Sequence, residues 1–460
     1  MANLLSKPSE ISSDIPIGNY EKFNLSENPF PSEPTVNKES TDKRINGYIY
    51  EMEIRGNEYE LILSNFIRKS QKDPNHLRLG YIIDTSYIGR GNGKSAFLLN
   101  LTHKINREYC LDLSNNINRC FAIYVSPEPG GRTKTFPSFV DTIFESILNS
   151  GIINICLATL RLEVINQSYP EISLAEFPED ELIMNLNSKD WFDQEKIDYR
   201  KIHDIFIRKE SFQNLPFEFP LFGEGKSLFS IVSTQDDFKQ YYRGLKKTKE
   251  RIDFLFNDLI KLFIAANFNG AYVFIDDFER IPDFQSSRQK KDFALELRTC
   301  LFDGISLNAK LGFYNMFLVL HAGVPRLIND AWAASGMENR APINQLSYKH
   351  IIVFDKLTRD HVALLLKKYL SEYRIKEISK DQLYPFTEDA VNTIGEMSEF
   401  NAAKILKMAY EYLEKAVEKK SQQVIDNSFI SDYKDIYEMD DETHTLDVSE
   451  TLDLMKKANE

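Results

Sequence analysis

The sequence predicts an α/β fold: a parallel-sheet core wrapped by helices, then a helical C-terminal domain. Three observations predict it. Short apolar runs of strand type (Leu79–Ile83, Cys120–Val125, Ala271–Ile275 and Met316–Leu320) alternate with stretches of helical apolar spacing, the pattern of a parallel sheet. The first run leads through a glycine-rich turn into a helix. From Thr358 onward the periodicity is helical, with the short run Ile351–Phe354 just before it.

Composition bounds what this chain can be. At 460 residues it is long enough for roughly two to three domains. Hydrophobic residues make up 42% and charged residues 27%, enough to bury a sizeable core. The apolar runs fall far short of the roughly 18 residues that span a bilayer. No basic segment followed by an apolar stretch opens the chain, so the expectation is no membrane association and a cytoplasmic location. Cys110, Cys120, Cys156 and Cys300 are scattered, which argues against a disulfide framework or a structural zinc site. With 56 Lys and Arg against 69 Asp and Glu the net charge is −13. Such a surface repels phosphate backbones, so nucleic acid would need a local basic patch or an assembled groove.

The elements follow in order. Residues 1–44 read as an arm rich in Ser, Pro, Asn and Glu, with an aromatic segment, Tyr20 to Pro31. This is either a strap that lays Phe23, Leu25 and Phe30 on the next domain or a detachable peptide ligand. Residues 45–354 read as the sheet core. It opens with a helix over Tyr48–Lys69, and Ser95–Ile105 is a helix with Phe97, Leu98 and Leu101 on one face. Pro137 starts another helix that runs to about Leu148. Residues 155–233 alternate short apolar pieces with Pro, Asn and Asp and read as an insertion. Gln235–Asn267 carries a long amphipathic pattern, and a helix is expected near Lys290–Phe302. Residues 355–420 hold expected helices Arg359–Tyr373, Glu388–Met397 and Asn401–Lys420, and 421–460 read as an acidic, solvated tail.

The most specific motif is Gly89-Arg90-Gly91-Asn92-Gly93-Lys94-Ser95-Ala96, between a strand and a helix. Glycines let a backbone curl so that successive N–H groups point inward, and a helix N-terminus adds partial positive charge, which suits a triphosphate. Lys94 would reach the β- and γ-phosphates of ATP, and the Ser95 hydroxyl would ligate Mg2+. In the usual pattern, GxxxxGK[ST], four residues separate the first glycine from the GK[ST]; here Ile88 holds the first glycine's place and Gly89 follows it. The alternative is a glycine-rich surface turn that happens to precede Lys and Ser.

The run Val273–Ile275 ends in Asp276-Asp277. A buried strand that ends this way would put Asp276 on the magnesium and leave Asp277 to orient or deprotonate the attacking water. An aspartate in that second role is one methylene shorter than a glutamate, which brings the water closer or slows hydrolysis; Glu279 is the nearby alternative. His321, at the end of Phe317–Leu320, is a candidate contact for the γ-phosphate or the water, or else a strand-capping histidine. Arg280, Arg288, Arg298, Arg326 and Arg340 are candidate transition-state arginines.

Taken together these residues resemble the AAA+ class of P-loop ATPases, specifically the branch of origin-recognition and ExeA/TniB-type proteins. The Asp-Asp strand end in Phe274-Ile-Asp-Asp-Phe-Glu-Arg280 is similar to the KAP and STAND type. Phe354–Thr358, Pro385–Ala390 and Asn401–Leu406 look like the start, middle and last helices of the AAA+ lid. The arm segment Phe23–Phe30 is also similar to the Asn-Pro-Phe entry of ExeA-type proteins. One departure stands out: the last lid helix normally begins near Gly-Asn-Pro-Arg, and the arginine place here holds Ala403, or Lys404 with a one-residue shift. A lysine lacks the planar bidentate fork.

The resemblance implies an ATP- and magnesium-dependent hydrolase that works as a homo-oligomer. It would couple nucleotide state to a partner protein encoded with it, or to a nucleoprotein complex, in bacterial antiviral defence or a mobile element. Two other readings stand beside it: a nucleotide-dependent scaffold or switch without hydrolysis, and a DNA-tracking motor. The motor would use Lys246-Lys247, Lys249-Glu-Arg251 and Arg288-Gln-Lys-Lys291 as basic patches.

Overall fold

The computed structural model describes residues 20–67, 76–84, 91–110, 119–172, 174, 177–198, 221–222, 226–227, 234–320, 324–343, 349–378 and 380–433. The chain divides into two compact units. One comprises Gly56–Gly89 and Phe97–Asp355, the other Met1–Arg55, Arg90–Ala96 and Lys356–Glu460.

The first unit is built on β1 (Leu79–Asp84), β2 (Cys120–Val125), β3 (Gly270–Ile275), β4 (Tyr314–Leu320) and β5 (Ile351–Phe354). They form one sheet in the order β2-β3-β4-β1-β5, and each neighbouring pair is parallel. All of β3 and β4 is buried, as expected of strands covered on both faces, which read as continuous apolar runs. Register sorts the side chains. Tyr81 lies beside Leu318, and Val273 beside Met316 and Ile123, facing a core that the helices Phe136–Asn149, Ile152–Ser168, Leu259–Ala265 and Ser287–Leu301 help to build. Within that core the Tyr81 hydroxyl donates to the Ala341 carbonyl at 2.7 Å and accepts from Trp332 Nε1 at 2.8 Å. Burial holds this phenol well above its ordinary pKa, so it stays neutral.

The other face carries Phe317, with Phe66 at 4.2 Å and Phe274 at 5.3 Å between ring centroids. A Cβ on Gly80 would come within 2.7 Å of the Phe66 ring, so β1 is bare there to let that ring lie across it. Phe97, on the helix Lys94–Ile105, meets Phe354 of β5 at 5.1 Å on this side.

The chain leaves β1 for the far-edge strand β2, returns strand by strand through β3 and β4, and then steps over β1 to β5. Connections from the neighbours β1 and β4 therefore depart in opposite directions. That is a topological switch point, and in open α/β sheets ligands bind outside the carboxyl ends of the strands there. The glycine-rich segment follows β1, and Asp276-Asp277 follows β3.

The second unit packs the helices Arg359–Glu372, Glu388–Met397, Ala402–Glu418 and Asn427–Asp432 around their own core. Side chains of Thr358, Thr387, Asn401 and Asp426 cap their N-termini, each satisfying an end N–H. The aromatic arm segment belongs to this unit. Phe23, Leu25 and Phe30 are fully buried in the helical core, where the Phe30 ring lies 6.1 Å from Tyr369 and 5.9 Å from Phe386. Lys22 Nζ donates to the carbonyls of Ala416 and Lys419 at 2.7 Å, closing a helix C-terminus with a cation.

Several expectations change. The arm straps the C-terminal helices and not the domain that follows it in sequence. The helical unit extends beyond residue 420, because Phe429 and Ile430 are buried in its core. The expected insertion boundary at 155 cuts the helix Ile152–Ser168, whose Cys156, Leu157, Leu160 and Val164 lie in the sheet-unit core. The long pattern over 235–267 is broken after Gly244, where Leu245 is extended, and resumes at Thr248. Helices Leu307–Leu311 and Val324–Ser335 were not expected. Much of 199–233 and all of 434–460 lie outside the described residues. Among the described residues no single helix is long and apolar enough to cross a membrane.

Candidate functional site

The helix Lys94–Ile105 opens directly from Gly91-Asn92-Gly93. Gly91 (φ +95°) and Gly93 (φ +81°) both occupy the left-handed region, which only glycine enters freely. Their surroundings differ. A Cβ on Gly93 would meet nothing within 4 Å, whereas one on Gly91 would lie 2.5 Å from Asn401 Oδ1 and 2.9 Å from Ala403 Cβ. The Ala403 N–H donates to the Gly91 carbonyl at 3.0 Å, while Asn401 Oδ1 accepts from the Lys404 N–H at 3.1 Å. The start of the last long helix is thus fastened to the loop by its backbone, and Ala403 serves where the resemblance leads one to expect a charged arginine. Asn92 and Lys94 are buried. The first N–H groups of any α-helix lack intrahelical acceptors, so Lys94, Ser95 and Ala96 begin a helix end suited to an anion.

At the carboxyl end of β3, Asp276 is 3% exposed and its N–H continues the ladder to the Val125 carbonyl at 2.9 Å. Its Oδ1 accepts the Asp277 N–H at 3.0 Å, and its Oδ2 accepts the Tyr124 hydroxyl at 2.5 Å. Asp277 turns the chain with φ +45°. Its Oδ2 is ion-paired with Arg280 Nη2, and Arg280 Nη1 also donates to the Pro127 carbonyl at 3.1 Å. Arg280 therefore ties the exits of β2 and β3 together. Glu279, the alternative to Asp277, is buried.

Gly91–Ala96 group with the helical unit, and Asp276 and Asp277 with the sheet unit. Gly89, Arg90 and His321 lie outside the described residues, as does the side chain of Arg326. Arg298 is engaged by Asp303 Oδ1 at 3.0 Å and by the Ser335 carbonyl at 2.6 Å, which makes it a structural brace. The basic patches carry acidic neighbours: Lys247 with Glu250, Arg251 with Asp141, and Arg288 with Asp292. All four cysteines are buried free thiols. Burial pushes Cys110 up to about 12, which removes it as a nucleophile at neutral pH.

Tyr124 and the Arg280 bridge escaped sequence reading. Tyr124 reads as one more apolar strand residue. The signal for it lies in register: Tyr124 pairs with Phe274, and a period of two carries that face on to Asp276.

The residues present fit a nucleotide phosphate. Two glycines hold the backbone in the curled form, the space beside Gly93 is open, and a buried lysine follows. Among the described residues no group of three or more His, Cys, Asp or Glu could hold a metal ion. Magnesium bound with a nucleotide needs no such cluster, since it takes one or two protein ligands and completes its shell with phosphate oxygens and water. No family model, curated protein or solved structure matches the chain.

Proposed function

We propose that this chain is a magnesium-dependent ATPase whose helical C-terminal unit responds to nucleotide bound at the glycine-rich loop. The observation that carries the reading is the attachment of Gly91 to Asn401 and Ala403. A loop with the chemistry of a phosphate cradle is held, backbone to backbone, by the helix that would have to respond. A ligand shifts a conformational equilibrium only through different affinities for its two states. Phosphate contacts at residues 91–96 compete with or reinforce the Gly91–Ala403 bond, which supplies that difference.

In this reading the loop N–H groups and Lys94 bind the phosphates, and Ser95 with Asp276 would hold Mg2+. When bound, the ion screens phosphate charge and polarises the transferring group. Asp277 orients the attacking water and accepts its proton. We further propose that the chain acts as a homo-oligomer on a partner protein.

A second reading, a nucleotide-dependent switch that does not hydrolyse, is favoured by one observation. Asp277 Oδ2 is already engaged by Arg280, so that oxygen reaches water only when the pair opens. Nucleotide binding and turnover of two variants separate the readings. Lys94→Ala weakens binding by about tenfold or more under both. Asp277→Asn abolishes turnover with binding intact under the first, and under the second there is no turnover to lose. Undiminished nucleotide binding by Lys94→Ala would contradict both.

A further inference from the structure

We infer that Tyr124 is a positioning residue for the magnesium-binding carboxylate of Asp276, an inference that rests on the function proposed above. A carboxylate presents about four acceptor directions on its two oxygens. In Asp276 one direction on Oδ1 is taken by the Asp277 N–H at 3.0 Å and one on Oδ2 by the Tyr124 hydroxyl at 2.5 Å. With a donor on each oxygen, the plane of the group is fixed and one acceptor direction per oxygen is left over. Two supports of independent origin set that plane. The N–H comes from the left-handed turn at Asp277. The hydroxyl comes from the neighbouring strand, whose register places Tyr124 beside Phe274 on the face that Asp276 continues.

The contact is not explained by packing alone. Asp276 is buried, and a buried carboxylate needs charge-assisted donors to offset its lost hydration. Among the described residues the groups seen donating to it, the Asp277 N–H and the Tyr124 hydroxyl, are both uncharged. Its negative charge is therefore oriented but not cancelled, which is what a site for a divalent cation requires. Donors behind a metal-binding group commonly set its affinity; their loss costs about 10–100-fold.

The test is Tyr124→Phe, which removes one oxygen and keeps the ring. A fluorescent ATP analogue is titrated at rising Mg2+ with wild type, Tyr124→Phe and Lys94→Ala, and the thermal midpoint of each is recorded. The inference predicts that Tyr124→Phe needs about tenfold more Mg2+ or beyond for half-maximal analogue binding, while its affinity measured in EDTA equals that of wild type. In an Asp276→Asn background the Tyr124→Phe change adds nothing to the Mg2+ requirement, and this arm stands even where the single variant is less stable. An unchanged or lower Mg2+ requirement in Tyr124→Phe, with wild type binding in a Mg2+-dependent and Lys94-dependent way, overturns the role of Tyr124 alone. A lower thermal midpoint with no Mg2+ shift assigns it to structure and also overturns it. No analogue binding by wild type overturns the proposed function, and this inference with it.

Discussion

The backbone N–H of Ala403 donates to the carbonyl of Gly91 at 3.0 Å, joining the first turn of a 17-residue helix to a glycine in the left-handed conformation. The bond is close because neither residue has bulk: a Cβ on Gly91 would come 2.9 Å from that of Ala403. Loop and helix therefore cannot move independently without losing it.

The two loop glycines should respond differently to a methyl group. Gly93→Ala adds only the backbone strain of a left-handed residue, about 1–2 kcal/mol. Gly91→Ala adds the same strain and drives a methyl into Asn401 and Ala403. Denaturant unfolding should show Gly91→Ala as the more destabilising change, with a weaker response of the helical unit to nucleotide by hydrogen exchange.

Arg280→Gln should raise ATP turnover several-fold, because it removes the ion pair that holds Asp277 Oδ2. The double variant Arg280→Gln/Asp277→Asn should show none. Steady-state phosphate release checks both, and a turnover gain that survives loss of Asp277 contradicts the assignment of the water-orienting residue.

Phe30→Ala should destabilise the helical unit by about 3–5 kcal/mol, the usual cost of emptying a buried phenylalanine site. Its ring is fully buried beside Tyr369 and Phe386, both distant in sequence. Tryptic cleavage after Lys22 should accelerate in parallel, since the strap and helices share one core.

Asp42 sets a pH dependence. Burial works against its carboxylate, but hydrogen bonds and charge from Arg44 outweigh that and hold its pKa below the ordinary 3.8. A carboxyl depressed in the folded state stabilises fully above its unfolded pKa, and the gain is lost as pH falls through the folded value. Stability of the helical unit should therefore decline below about pH 4, and Asp42→Asn should flatten that decline in pH-dependent melting.

Local elements were legible where the pattern had clear ends. Cys120–Val125 is a strand over the whole apolar run between Arg119 and Ser126-Pro127, and Glu388–Met397 is a helix from its Thr387 cap onward. The 235–267 stretch misled because its apolar spacing continues past Gly244 while the backbone does not. The destination of Phe23, Leu25 and Phe30 was illegible for another reason: apolar residues signal burial but not against which distant surface. In the candidate site, Gly91, Gly93, Lys94 and the aspartate pair announced themselves by type and order. Tyr124 did not, and neither did the pairing of Arg280 with Asp277 or the bond from Ala403 to Gly91, because these contacts depend on strand register, a three-residue turn and a long-range approach.

The most direct test of the account is equilibrium binding of ATP to the purified chain at millimolar nucleotide with Mg2+, beside Lys94→Ala. The account predicts saturable, Mg2+-dependent association that Lys94→Ala weakens by about tenfold or more, the loss of a charge-assisted contact. No association by the wild-type chain, or equal association by Lys94→Ala, would contradict it.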